Sequence, residues 1–200
     1  MTVNEVPDLY PTEPLPVRLM NTVWANRDGV QDSLTTVAKL QQWARQCGMR
    51  PSTGLSRADL DRARSLRDVL RRLAADLLDD RRHGAVSDRL TVSEALGTLN
   101  GLLSTCVPEV RVDDRHGFRR DWHWRATGFE RELLVVALEA SDLLAQGPAG
   151  LGACHGPGCV LYFERVPARR EWCSTGCGNR ARVSRHYRRR KDASEAAPSR

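Results

Sequence analysis

Residues 153–191 read ACHGPGCVLYFERVPARREWCSTGCGNRARVSRHYRRRK and decide the fold of the C-terminal part of the chain. Four cysteines lie in this stretch as two close pairs, C-x4-C and C-x3-C: Cys154, Cys159, Cys173 and Cys177. Thiols at this spacing can close a tetrahedral site around Zn²⁺, and closed four-sulfur sites are usually structural. The alternative is two disulfides, which require an oxidising compartment. We predict one structural zinc ion.

The rest of the sequence favours a reducing compartment. The N-terminal residues MTVNEVPDLYPTEPLP lack the basic cluster and apolar core of a secretory signal. No run approaches the roughly 18 apolar residues that a membrane span needs. Cys47 and Cys106 lie within apolar helical patterns and are expected to be small buried side chains. We therefore expect a cytoplasmic protein without a membrane partner, in which reduced thiols favour metal binding.

The net charge of +6 is unevenly distributed. Residues 151–191 contain ten Lys and Arg against two Glu, a balance of +8, which leaves −2 for the rest of the chain. This asymmetry predicts a polyanionic partner for the C-terminal end alone.

Upstream of the cysteines, the periodicity of apolar residues predicts a multihelical domain over 15–146, after an extended N-terminal segment, 1–14. A first helix is expected from Leu15 to Trp24, and a third from the N-cap Ser56 to Gly84. Other expected helices begin near Thr35 or Thr36, at the Thr91–Glu94 capping box, and near Thr127. The helix that begins at the Thr91–Glu94 capping box is expected to include Cys106 and to stop at Pro108. Between 110 and 124 the period changes to 2, which predicts one β-hairpin.

The glycine-rich stretch 147–152 is predicted to be a linker, and residues 192–200 a disordered tail. The unit between them, 153–191, is too small to be held by its apolar side chains alone, so it needs the metal to fold. The predicted fold class is mainly α: a multihelical N-terminal domain with one β-hairpin, followed by a small treble-clef-like zinc finger made of a β-knuckle and a helix. We expect Cys173→Ser to unfold the finger and to leave the helical body folded.

The basic end of the finger predicts a nucleic-acid-binding helix. On a helix, Arg182, Arg185 and Arg189 form one stripe, while Val183 and Tyr187 lie opposite and are expected to pack on the knuckle. We predict that this helix binds DNA, with phosphate contacts outnumbering base contacts. The candidate contacts are Asn179, Arg180, Arg182, Arg185, His186, Arg188, Arg189 and Arg190. Arginine-rich helices also bind RNA, and a protein-interaction adaptor with a scaffolding zinc knuckle is a further alternative.

The stretch WCSTGCGNRARVSRHYRRRK, with its intact Cys177-Gly178-Asn179-Arg180 motif, resembles the CGNR zinc-finger family. The stretch MNTVWANRDGVQDSLTTVAKLQQWA, from Met20 to Ala44, resembles the ABATE domain, which commonly precedes this finger in proposed stress-induced transcription regulators of bacteria. The resemblance implies a helical regulatory domain joined to a zinc-dependent DNA-binding module.

A regulatory domain is expected to sense a small-molecule effector or to form a homodimer. Asn21, Trp24 and Arg27 form one polar and aromatic cluster that could line a ligand site, and Trp122, His123 and Trp124 form another. Asn21 could equally bond the backbone, and the tryptophans could fill the core. The usual hydrolase, nucleotide-binding and metalloprotease motifs are absent from the sequence, so we predict that the protein is not an enzyme.

Overall fold

The computed structural model describes residues 6–50, 54–82, 84, 90–114, 117–166 and 168–195. Helices dominate these residues, and the predicted fold class is confirmed. The helices are α1 (Leu15–Met20), α2 (Val37–Gln46), α3 (Arg57–Leu77), α4 (Val92–Leu103), α5 (Gly128–Ala145) and α6 (Thr175–Glu195). The strands are β1 (Val23–Asn26), β2 (Gly29–Asp32), β3 (Cys106–Val112), β4 (Phe118–Trp124), β5 (Leu151–Ala153) and β6 (Tyr162–Glu164), paired in sequence order as three antiparallel hairpins.

The helix starts follow the capping residues of the sequence. Ser56 and Asp59 form a reciprocal capping box at the start of α3, and Thr91 and Glu94 form another at the start of α4. Each box satisfies backbone N–H groups that the first helical turn leaves unpaired. Thr36 caps α2 by accepting a hydrogen bond from the Lys39 N–H. These starts are confirmed.

The core of the body lies between α1, α3 and α5, with α2 and α4 packed around them. Leu60, Leu70 and Val69 of α3 are buried, as are Leu133 and Ala137 of α5. The apolar face of α3 recurs with the helical period over 21 residues, so one long helix can contact every other helix of the body.

The structure corrects the predicted ends of three elements. Helix α1 ends at Met20, and Val23 and Trp24, which were predicted to continue it, begin the first strand of the β1–β2 hairpin. Helix α3 ends at Leu77 rather than at Gly84, and Asp79 turns the chain with φ 47°. Helix α4 ends at Leu103, so that Cys106 begins β3 and Pro108 lies within that strand. The β3–β4 hairpin itself is confirmed, although Arg115 and His116 of its predicted turn lie outside the described residues.

The segments on either side of the finger also differ from the sequence prediction. Gly147–Ala149 form a 3₁₀ turn and Leu151–Ala153 form a fully buried strand, so 147–152 is not a free linker. Helix α6 continues to Glu195, which places 192–195 in a helix; 196–200 lie outside the described residues. Among the described helices, none has the length and apolar character needed to cross a membrane.

Candidate metal centre

The four predicted ligand sulfurs come together at one buried point. The Sγ atoms of Cys154, Cys159, Cys173 and Cys177 all lie within 4.8 Å of one another. Cys159 and Cys173 are 3.8 Å apart at sulfur, and Cys173 and Cys177 are 3.4 Å apart. Zn–S bonds of about 2.3 Å at tetrahedral angles separate the sulfurs by about 3.8 Å. The donor set therefore fits a tetrahedral Zn²⁺, and these separations are too long for disulfides of about 2.05 Å.

The first cysteine pair lies on a tight knuckle between β5 and β6. The Cys154 N–H donates to Leu161 O at 3.0 Å, and the Cys159 N–H donates to Gly156 O at 2.9 Å. Gly158 has φ 72°, which residues with a side chain rarely adopt. A Cβ on Gly156 would come within 3.0 Å of Cys177 Cβ. The two glycines thus let the backbone curl close to the second pair.

The second cysteine pair lies at the start of α6. Ser174 caps this helix, because its Oγ accepts the Cys177 N–H at 3.2 Å and its carbonyl accepts the Gly178 N–H at 3.1 Å. Cys177 is therefore in the first helical turn, where the helix dipole favours a thiolate. Arg180 adds a direct contact, since its Nη2 lies 2.9 Å from Cys177 Sγ. This contact raises the pKa of Arg180, so the guanidinium stays charged beside the sulfur.

Crowding makes the sulfurs compete for protons when no cation is bound. Hydrogen bonds from the thiols of Cys159 and Cys173 lower the pKa of Cys154. The same contacts raise the pKa of Cys159 and of Cys173. Four close thiolates need a divalent cation to balance their charge, and metal binding must release the shared protons.

Comparison with protein families agrees with this geometry. The family profile of the ABATE domain, described as "Putative stress-induced transcription regulator", matches residues 13–147. The chain belongs to the ABATE family. A second profile, the CGNR zinc finger, matches residues 151–190, and the four cysteines are its structural zinc site. Neither profile describes an enzyme. None of the curated proteins matches the chain.

The ABATE domain and the finger share a core. Leu151, Ala153 and Tyr162 belong to the finger in sequence, yet they are buried in the apolar cluster of the ABATE helices. Asn21 joins the two parts as well, because its Nδ2 donates to Tyr162 O at 2.9 Å and its Oδ1 accepts the Tyr162 N–H at 2.9 Å. Arg71 of α3 donates to Val160 O at 3.2 Å. The finger is therefore built onto the ABATE domain rather than tethered to it.

Residues 9–13, from the segment predicted to be extended, pack beside the zinc site. The buried carboxylate of Glu13 pairs with Arg170 at 2.6 Å and accepts the Glu164 N–H at 2.8 Å. Arg170 in turn donates to Cys173 O at 2.8 Å. The Cys173 thiol donates to the Tyr10 hydroxyl oxygen at 3.7 Å, and burial raises the pKa of Tyr10 to about 12, so the phenol stays neutral. These contacts were not predicted, because nothing in the local sequence of 1–14 points to the cysteines.

The predicted nucleic-acid residues lie along an exposed helix. Along α6 the side chains of Asn179, Arg182, Arg185, His186, Arg188, Arg189 and Arg190 are all exposed. Arg180 differs from them because it contacts the Cys177 sulfur. The prediction that Val183 and Tyr187 pack on the knuckle is wrong, since they are 55% and 67% exposed. The finger is too small to reach that far along the helix, and between Asn179 and Arg190 only Ala181 is buried.

The predicted ligand residues do not converge on one pocket. The Asn21 amide makes its hydrogen bonds to the Tyr162 backbone and does not line a site with Trp24 and Arg27. Trp24 Nε1 donates to Ser33 Oγ at 3.0 Å, and its ring packs beside the cysteine cluster. Arg27 lies exposed at the turn of the β1–β2 hairpin. The second aromatic cluster also has structural contacts: Trp122 and Trp124 pack on α4 and α5, while His123 is exposed and 3.3 Å from Glu109.

Proposed function

We propose that this protein is a zinc-dependent DNA-binding regulator of transcription, acting in the cytosol, in which α6 docks on duplex DNA. One observation carries the proposal. A basic helix projects from the protein with its first turn fixed at a structural zinc site and with its arginines exposed. The cytosol fits because metal binding requires reduced thiols. The family description supports a role in transcription.

The exposure of α6 leaves its arginines accessible to a binding partner. Every side chain from Arg182 to Arg190 is exposed, except Ser184, which is half-buried. Like charges three and four residues apart destabilise a helix, and most helical stability in proteins comes from tertiary packing. A polyanion would neutralise the arginines and stabilise the helix. The exposed part of α6 is therefore expected to be more stable against a nucleic-acid backbone than in water.

The chemistry of the exposed side chains indicates how the helix would contact DNA. Arg182, Arg185 and Arg189 form a stripe that can span neighbouring phosphates, since guanidinium groups bind phosphate oxygens through paired N–H donors. Asn179 lies near the fixed end of the helix and could reach a base edge. Arg180 is not expected to contact DNA, because it stabilises the Cys177 thiolate. The ABATE domain would orient α6, and an effector or a second copy would act through it.

The salt dependence of binding tests the electrostatic part of the proposal. If six phosphates are neutralised, the logarithm of the binding constant should fall with the logarithm of salt concentration at a slope of about −5. Fluorescence anisotropy with a labelled random duplex, measured from low to physiological salt, gives this slope. A slope near zero would contradict the proposal.

A charge-matched pair of variants tests whether the stripe is the contact. Arg182→Ala/Arg185→Ala/Arg189→Ala should reduce the steepness of the salt dependence by about 3 and weaken binding to every duplex. Arg57→Ala/Arg81→Ala/Arg119→Ala removes the same charge from exposed positions of the ABATE domain and should bind as the wild type does. Equal losses in both variants would mean that net charge alone attracts the DNA.

The same assay separates the alternatives. Tighter binding to structured RNA than to duplex DNA at equal salt would assign the helix to RNA. Failure of the zinc-loaded protein to bind either nucleic acid would favour an adaptor, in which the exposed helix contacts another protein.

A further inference from the structure

Arg82 of the ABATE domain makes an unusual set of contacts with the zinc knuckle. Its Nη1 donates to three carbonyl oxygens of the finger: Cys154 O at 2.6 Å, Cys159 O at 3.1 Å and Leu161 O at 3.3 Å. Two of these carbonyls belong to zinc ligands. Because Nη1 carries two hydrogens, at least one of them is shared between two of the three oxygens.

The other edge of the same guanidinium is fixed by Asp80. Arg82 Nε lies 2.7 Å from Asp80 Oδ1, and Nη2 lies 2.6 Å from Oδ2, which is a bidentate pair. The Asp80 carboxylate has no solvent-exposed side-chain surface and also accepts the Tyr162 hydroxyl at 2.8 Å. Tyr162 is buried, and the guanidinium groups of Arg71 and Arg82 each lie 5.2 Å from its ring centre. Arg82 therefore has a single orientation available, pointing at the knuckle.

We propose that Arg82 is a positioning residue for the zinc site: it holds the backbone of Cys154 and Cys159 in the ligating geometry and thereby couples zinc binding to the fold of the ABATE domain. The inference goes beyond the proposed function, because it concerns metal binding and does not require DNA. A knuckle that carries two ligands gains affinity when its backbone is ordered before the metal arrives. Arg82 orders it from outside the finger.

Zinc affinity in a matched pair of variants tests the proposal. Arg82→Gln removes the guanidinium group, whereas Arg81→Gln changes the neighbouring arginine, whose side chain is 86% exposed and pairs with the exposed Asp79. Competition with a chromophoric chelator should show zinc binding by Arg82→Gln weakened by about ten- to a hundredfold, the range for contacts behind metal ligands, and Arg81→Gln unchanged. Equal zinc affinity in the two variants would overturn the proposal.

Cobalt spectroscopy separates positioning from general stability. Co²⁺ in a tetrahedral four-thiolate site has a visible absorption whose shape depends on the ligand geometry. We expect the band of the Arg82→Gln protein to be shifted and broadened relative to the wild type, and that of Arg81→Gln to match the wild type. An unaltered band with lower overall stability would reduce Arg82 to a structural ion pair and would contradict the proposal.

Loss of Arg82 alone leaves a buried carboxylate unpaired, so the single variant could fail to fold. Asp80→Asn/Arg82→Gln removes both charges and keeps the assay interpretable, since neither remaining side chain requires a counter-charge. We expect this double variant to have the same loss of zinc affinity. Arg82→Lys keeps the positive charge but loses the planar set of N–H donors, so its zinc affinity should lie between those of Arg82→Gln and the wild type. Full zinc affinity in the double variant would show that the carbonyl contacts have no role.

Discussion

Asn21 and Tyr162 exchange the pair of hydrogen bonds that two facing strand residues would exchange, although 141 positions separate them. Asn21 lies at the end of α1, and its amide group satisfies both backbone groups of a buried residue of the finger. Buried backbone groups without partners are costly, so this one side chain helps to hold the finger against the ABATE domain.

Asn21→Ala should therefore destabilise the protein strongly. Two buried backbone groups would lose their partners at about 1–3 kcal/mol each, and we expect a total loss of roughly 3 kcal/mol. Urea denaturation of the zinc-loaded protein measures it. Asn100→Ala, at an exposed position of α4, is the control and should change stability by less than about 0.5 kcal/mol. A similarly small effect at Asn21 would mean that water replaces the amide.

Asp80 adds a pH dependence at the same boundary. Burial alone would raise the pKa of Asp80, but the hydrogen bonds and charge of Arg82 and the Tyr162 hydroxyl outweigh it and hold the pKa below its usual range. Because the pKa is lower in the folded state, this group stabilises the protein fully above its ordinary pKa of about 4, and the contribution disappears as the pH falls through the folded pKa.

The wild type and Asp80→Asn should consequently differ most at neutral pH and converge below about pH 4. Urea midpoints measured across this range in the presence of a chelator exclude any effect of zinc release. A stability difference that stays constant down to the acid limit would mean that the pKa of Asp80 is not shifted by folding.

At the scale of single elements, local caps determine where helices begin, whereas the apolar pattern alone does not separate a short helix from a hairpin strand. Helices α3 and α4 begin where the predicted N-cap Ser56 and the predicted Thr91–Glu94 capping box place them, because a cap bonds groups within four residues of itself. The β1–β2 hairpin was not predicted, because its first two residues, Val23 and Trp24, also fit the apolar pattern of the preceding helix. Its turn is stabilised locally by Asn26 Oδ1, which accepts the Asp28 N–H at 2.9 Å. The same turn residues also commonly follow the end of a helix, so they do not by themselves predict a hairpin.

The cap of α3 can be tested independently of the finger. Ser56→Ala removes the side chain that accepts the Asp59 N–H, and we expect a loss of about 1 kcal/mol in the free energy of unfolding. Ser93→Ala changes a serine at an exposed position in the first turn of α4 and should be nearly neutral. Chemical denaturation of both variants gives the comparison, and an equal effect at the two serines would argue against the cap.

At the scale of the whole molecule, the ABATE domain and the finger should unfold together. The sequence led us to expect that Cys173→Ser unfolds the finger and spares the body. The structure changes this expectation, because Leu151 and Tyr162 of the finger are fully buried among the ABATE helices. Opening the finger would expose part of the body's own core.

Removal of zinc should accordingly lower the temperature of one cooperative transition. A protein that binds a ligand only when folded is stabilised by that ligand, so a chelator reduces the stability of everything that unfolds with the site. Far-UV circular dichroism follows the ABATE helices, and calorimetry reports whether one transition or two are present. A body transition unaffected by chelator, with a separate transition of the finger, would contradict this coupling.

The sequence by itself determined the ligand set, the fold class and the capped helix starts. Cysteine spacing within each pair and capping residues act over a few positions, so the structures they form can be predicted without knowledge of the fold. Tertiary structure decided the role of Arg82, Asp80 and Glu13. Asp79-Asp80-Arg81-Arg82 has the composition of a solvated turn, and nothing local distinguishes the exposed Arg81 from the Arg82 that holds the zinc knuckle. Burial of the knuckle leaves its carbonyl groups without water, so they need another donor. Tertiary packing supplies that donor from Arg82, which is 72 positions from Cys154 in the sequence.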